Sequence, residues 1–268
     1  MHSSKPLVGA ALLALVLLAA GAAAQPLSDP ATEKKIDTLL AQMTLEEKIG
    51  QLNQYSSPFD VTGPPPSAGF QKRAYEQIRQ GLVGSMLNVN GAEATRRAQQ
   101  LALEGSRLKI PMIFGYDVIH GYRTIFPIPL GEAASWDPAV VEQSARIAAT
   151  EAAAAGLHWT FGPMVDIARD ARWGRVMEGS GEDPFLGAQM AAARVRGFQG
   201  RDLGAVDTIA ACAKHYAAYG FAEGGRDYNT VDISEHTLRN VVLPPFKAAA
   251  DAGAATFMNS FNEIAGIP

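Results

Sequence analysis

Apolar and polar positions along this chain fall into one repeated unit. A short apolar run, of the kind a strand covered on both faces requires, gives way to a polar tip and then to a stretch with apolar residues at helical spacing. Ser28-Asp29-Pro30 reads as a helix start, and Ile36, Leu39, Leu40 and Met43 carry the helical period behind it. Thr44 opens a second helix, with Glu47 placed to complete a capping box and Ile49, Leu52 and Tyr55 along the apolar side. Residues 59–69, rich in glycine and proline, read as a loop, and a helix follows over about 70–80. Strands are predicted over 82–88, 110–116, 157–164, 208–216 and 255–260. Between them lie helices over 92–106, 140–155 and 185–198, the second opened by Asp137-Pro138. A helical region over about 232–250 must be interrupted or restarted at Pro244-Pro245.

Polar residues gather at one end of each strand, the C-terminal end. The longest example runs from Trp159 to Asp183, where an apolar strand passes into a loop holding Asp166, Arg169, Asp170, Arg172, Arg175, Glu178, Glu182 and Asp183. That asymmetry is the layout of a barrel's catalytic face. The fold expected is α/β, a TIM-type (β/α) barrel that is incomplete, with about the first five β/α units. A doubly wound open sheet also alternates, but no glycine-rich dinucleotide fingerprint opens a helix here. So few strands cannot close a cylinder, and an exposed edge is expected to leave the chain unstable on its own.

Composition narrows the function classes. Residues 1–24 read as a secretory leader: Lys5, then the apolar run Leu7 to Ala20, then Ala22-Ala23-Ala24 as a cleavage site. A membrane anchor is the competing reading, but the run is short for a span. Residues 25–268 are then the barrel portion, periplasmic in a Gram-negative source and otherwise secreted. The net charge of −4, without a basic run, argues against nucleic acid as a partner. Cys212 stands alone, which rules out an internal disulfide and a cysteine metal cluster. His120 and His215 have no third ligand at a recognisable spacing, and no nucleophile elbow is present.

Candidate chemistry sits on the strand ends. Asp117, closing Gly115-Tyr116-Asp117, is either an acceptor for sugar hydroxyls or a cap on a backbone turn. Arg175 offers a fixed fork of donors, for a sugar hydroxyl or for a structural ion pair with Asp166, Asp170 or Asp183. Lys214 and His215 are adjacent on a strand, so both reach one pocket only if the strand bends or ends there. Arg226, Asp227 and Tyr228 form a second polar cluster, Met258 is a candidate pocket wall, and Trp173 either stacks on a sugar face or simply packs.

Four ordered motifs carry a resemblance. Gly115 to Gly121, Ala171-Arg172-Trp173-Gly174-Arg175, Ser180-Gly181-Glu182-Asp183-Pro184 and Ala213-Lys214-His215-Tyr216 resemble glycoside hydrolase family 3, nearest its periplasmic β-glucosidase branch, over about Ile36 to Pro268. The resemblance implies the N-terminal barrel of an exo-acting β-glucosidase working by retention, without metal or organic cofactor. It implies substrate binding by Asp117, Arg175, Lys214 and His215, with Arg226 and Met258 as neighbours. β-Glucosides or short β-linked gluco-oligosaccharides would be the ligands. On this resemblance the family's nucleophile and its acid/base would lie beyond residue 268, the second in a C-terminal α/β sandwich domain, so no residue here is assigned either role. Other activities of the same family, β-xylosidase or exo-β-glucanase, and a non-catalytic sugar-binding protein are the alternative readings.

Overall fold

The computed structural model describes residues 29–56, 68–89 and 91–268. The leader read over residues 1–24, and the loop from residue 59 to 67, lie outside the described residues. Asp29 caps α1 (Pro30–Gln42), its carboxylate accepting from the Ala31 and Thr32 amides. The capping box at Thr44 forms as its sequence requires, with Glu47 reaching back, and opens α2 (Leu45–Gln51).

Among the described residues six parallel strands follow in chain order. β1 (Gln54–Ser56), β2 (Ser85–Leu87), β3 (Ile113–Tyr116) and β4 (Trp159–Thr160) form one sheet; β5 (Cys212–Tyr216) and β6 (Thr256–Asn259) form a second. Isolated parallel bridges, Trp159 with Ala210 and Met164 with Lys214, set β5 beside β4. The crossovers carry α3 (Gly69–Arg79), α4 (Ala92–Gly105), α5 (Pro129–Ala133), α6 (Pro138–Ala154) and α7 (Pro184–Gln199). After β5 come α8 (Glu235–Thr237), a π-helical turn over Leu238–Val242 and α9 (Leu243–Asp251), so the helical region does restart at its prolines. Parallel strands alternating with helices are the winding of a (β/α) barrel. Among the described residues β1 and β6 do not pair, and the cylinder stays open.

Two elements were not legible. β1 is three residues long with only Tyr55 partly buried, too short for any period, so Tyr55 lies on a strand and not on α2. α5 is five residues long in what reads as loop. The fourth strand is shorter than its apolar run. Burial continues unbroken from Thr160 to Ala168, yet ladder pairing stops at Thr160. Pro163 has no amide hydrogen to donate, which interrupts the ladder. The run nevertheless stays attached, because Val165 donates to the Lys214 carbonyl (2.8 Å) and Lys214 to that of Pro163 (3.0 Å).

Three further contacts brace the strands and the loops at their ends. The Trp159 indole donates to Thr256 Oγ1 at 2.8 Å, spanning from β4 to β6. Buried Gln199 at the end of α7 accepts from the Ala211 and Ala255 amides and donates to the Gly253 carbonyl, fixing the entries to β5 and β6. Gly220 lies so close to the Ile167 carbonyl that a Cβ would overlap it, which lets the loop after β5 seat against the end of the β4 run. No helix among the described residues is long and apolar enough to cross a membrane.

Candidate active site at the C-terminal strand ends

The loop after β3 is held from below at several points. Buried Thr160 accepts the Val118 amide at 3.2 Å. Arg194 of α7 donates to the Ile119 carbonyl at 3.2 Å and pairs with Glu132 of α5, both side chains being buried. His120 Nδ1 meets the Phe126 carbonyl at 2.9 Å, so its visible partner is its own loop and not a ligand set. The result presents Asp117 at the strand end, about half exposed.

Lys214 reaches Asp117 across the opening, Nζ to Oδ1 at 2.9 Å, with its own side chain only 4% exposed. A buried ammonium needs such a partner. His215 sits next along the chain, and its register against β6 shifts between Lys214 and Tyr216, which supplies the bend the two neighbours require. Both the His215 amide (3.0 Å) and its ring Nδ1 (2.9 Å) point at Oδ2 of Asp166. An ionised carboxylate only accepts, so the hydrogen sits on Nδ1 and Nε2 is left for the site. Asp166 Oδ1 is buried without a partner among the described residues.

Arg175 does not pair with any acid anticipated from the sequence. Its fork engages Glu178 one 3₁₀ turn on, Nε to Oε1 at 2.6 Å and Nη2 to Oε2 at 2.8 Å. Asp170 is taken by Arg172, and Asp183 caps α7. Burial pushes the Glu178 carboxyl up, but its bonds to Arg175 and the charges of Arg175, Lys214 and His215 outweigh that and hold it below the ordinary range. Glu178 therefore lies in the field of three donors at once. Only the i,i+3 spacing from Arg175 hinted at it.

The remaining candidates divide. Met258 pairs in register with Lys214 and is partly buried, so it does border the group. Arg226 is exposed and forms no ion pair among the described residues. Trp173 is 2% exposed, its indole donating to Asp227 at 2.9 Å, so its role is packing rather than stacking on a ligand. Buried Tyr219 lies between them, its ring 5.5 Å beneath the Arg175 guanidinium. Among the described residues its hydroxyl meets no hydrogen-bond partner in good geometry, although Asp227 and Arg175 are close enough to bear on its ionisation. Burial is the main reason that this phenol is pushed up. A hollow of about 580 Å³ opens at the opposite end of the strands, around Leu157, His158 and Thr256. It brings no charged groups together, and the chemistry lies at the C-terminal ends.

Exchanging Glu178 for Gln is expected to release the Arg175 fork and to remove the one anion shared by the three donors. A thermal unfolding series against pH checks this. The folded-state carboxyl is depressed, so the pair's stabilisation is complete above the ordinary glutamate value of 4.5 and fades as pH falls through the lower folded value. Glu178→Gln should erase that acid-side component; an unaltered acid limb would show that the ion pair does not form.

The family model for the glycosyl hydrolase family 3 N-terminal domain matches residues 44–268. The periplasmic β-glucosidase of Salmonella typhimurium is 42% identical over 243 residues, covering 91% of this chain and 31% of the relative. A β-xylosidase of Formosa agariphila is 31% identical, over 90% of this chain and 29% of its own. Among solved structures, the β-glucosidase of Listeria innocua in complex with glucose matches with a TM-score of 0.80 at 43% identity, covering 88% of this chain and 34% of that one. This chain thus spans about a third of the length of these relatives. On the match over residues 44–268 and on identities above 40% across most of its length, the chain belongs to glycosyl hydrolase family 3.

Proposed function

We propose that Asp117, Arg175, Lys214 and His215 form the site that holds the terminal glucosyl residue of a β-glucoside, as part of an exported β-glucosidase. The observation that carries this reading is the Lys214–Asp117 pair at 2.9 Å, set at the strand ends beside the Arg175–Glu178 fork. An equatorial rim of hydroxyls both donates and accepts. One half-exposed carboxylate beside a lysine, an arginine and a histidine supplies both kinds of partner. Met258 would line the same site, and Arg226 would be its further neighbour. The likeness to the glucose-bound Listeria innocua enzyme supports glucose as the glycone. The name of the Salmonella typhimurium relative supports export to the periplasm, with residues 1–24 as the removed leader.

The chemistry would be retaining, with one carboxylate attacking the anomeric carbon and a second carboxyl protonating the leaving oxygen. None of the acids in this cluster is free for either task. Asp117 is paired with Lys214, Asp166 is sealed beneath His215, and Glu178 is forked with Arg175. The reading therefore assigns this chain the binding half of the site. The nucleophile and acid/base would come from the part of the longer relatives that it does not match, the α/β sandwich domain included.

Titration calorimetry with glucose and cellobiose, beside an aryl-β-glucoside turnover assay, tests the proposal. The expected result is glucose binding without turnover by the 268-residue chain. Sustained turnover lost on a substitution in this chain would overturn the assignment of the chemistry, and absence of binding would overturn the site. The Formosa agariphila relative supports β-xylosidase as the second reading, and a preference for xylose over glucose in the same titration would favour it.

A further inference from the structure

A buried carboxylate lies directly under one of the four polar residues, and among the described residues its side chain bonds to nothing else. Asp166 is 2% exposed, in the apolar run that continues β4. That run is zipped to β5 one residue earlier. Lys214 donates to the Pro163 carbonyl at 3.0 Å, and Val165 to that of Lys214 at 2.8 Å. The next residues on the two sides are Asp166 and His215, which brings them together. Oδ2 of Asp166 takes both the His215 amide, at 3.0 Å, and the ring Nδ1, at 2.9 Å. Oδ1 is buried without a partner among the described residues. A sealed carboxylate with one oxygen unused is a poor stabiliser, so its presence calls for another account. The Tyr219 ring stands edge to face against the imidazole, centroids 5.0 Å apart, and confines it from a second side.

The backbone amide decides the direction of the ring bond. An amide N–H only donates, so the oxygen it meets is an acceptor. The same oxygen faces Nδ1, so Nδ1 carries the ring hydrogen, and in the neutral imidazole Nε2 is bare. We propose that Asp166 is a positioning residue for sugar binding: it holds the neutral His215 ring in this one tautomer, so that Nε2 accepts a hydrogen bond from one sugar hydroxyl, a role that rests on the glycone-site reading above. The gain is one of balance. Arg175 and Lys214 can only donate, and Asp117 already commits one oxygen to Lys214. Each sugar hydroxyl has a hydrogen to give, so the site needs a further acceptor. A histidine without a buried partner divides between two tautomers; Asp166 removes the choice.

The test uses the full chain, D-glucose and its monodeoxyfluoro analogues. Heteronuclear NMR of the histidine ring nitrogens, at a mildly alkaline pH where an ordinary imidazole is neutral, should show Nδ1 of His215 protonated and Nε2 bare. Asp166→Ala should lose that fixed tautomer and bind glucose about three- to tenfold more weakly by calorimetry, the worth of one hydrogen bond. Asp166→Asn is the conservative variant. The His215 amide keeps the Asn oxygen on its side, and the side-chain nitrogen takes the place of the unused oxygen. It should retain the tautomer and stay within about threefold of the unaltered affinity, although its buried, unpaired nitrogen lowers the melting temperature. Fluorine has no hydrogen to give, so one fluoro analogue should bind the unaltered chain weakly and lose nothing further in His215→Ala. A protonated Nε2 in the unaltered chain, or an unchanged tautomer in Asp166→Ala, would overturn the proposal and leave the sugar site standing. Affinity that merely follows melting temperature through both Asp166 variants would overturn it too, as would further loss of every fluoro analogue in His215→Ala. Failure of the unaltered chain to bind glucose would remove the site and this role with it, and an intact ring signature would show that the site reading was what failed.

Discussion

Replacing Lys214 with methionine is expected to weaken glucose binding by roughly 10- to 100-fold, the range that one charged hydrogen bond supplies. The ammonium is buried to 4% exposure and its visible partner is Asp117 at 2.9 Å. Methionine fills the same channel with an unbranched chain of similar length, so packing against β6 is retained while the charge is lost. Two effects then add. The sugar loses a donor, and Asp117 loses the cation that holds it in place. Asp117→Asn separates them, because it keeps an acceptor while weakening the pair, and a smaller loss is expected there. Calorimetry on the three chains gives the ranking. Equal affinity in Lys214→Met and the unaltered chain would mean that the pair is structural and that the sugar lies elsewhere.

The largest effect on stability is expected at Arg194. Its guanidinium and the Glu132 carboxylate are both buried, and burial lowers the arginine below its ordinary range despite the partner's charge. Removing one member of such a pair strands the other, at a cost of about 3–5 kcal/mol. Arg194→Met should therefore lower the urea midpoint sharply, while adding Glu132→Leu to it should restore much of the loss. That recovery is the signature of an ion pair whose desolvation nearly cancels its attraction. A single variant within about 1 kcal/mol of the unaltered chain would place the pair in solvent, where such bridges contribute little. The consequence reaches the site, since Arg194 also donates to the Ile119 carbonyl in the loop that presents Asp117. Glucose affinity should fall in the single variant and stay low in the double, which recovers stability but still lacks the donor to the Ile119 carbonyl.

Local signals were readable from the chain alone where the physics is local. Asp29, Thr44 and Asp137 cap helices because a side-chain oxygen two or three residues from a free amide needs nothing else. The repeating order of strands and helices was likewise legible, since burial on both faces of a parallel strand demands continuous apolar runs. The family motifs around Asp117, Arg175 and Lys214-His215 could be found for the same reason, each being contiguous.

What the tertiary structure alone decided is who partners whom. Lys214 and Asp117 are 97 residues apart, and no spacing rule connects them; two strand ends on one rim do. Arg175 faces several acids in its own loop, yet Asp170 and Asp183 are committed to Arg172 and to a helix cap, which leaves Glu178 for the fork. Trp173 is hidden and Tyr228 is bare, although both read as aromatic residues in polar loops. Periodicity reports which side of an element is covered, but the pairing of charges and the exposure of a loop ring depend on what the rest of the chain has already claimed.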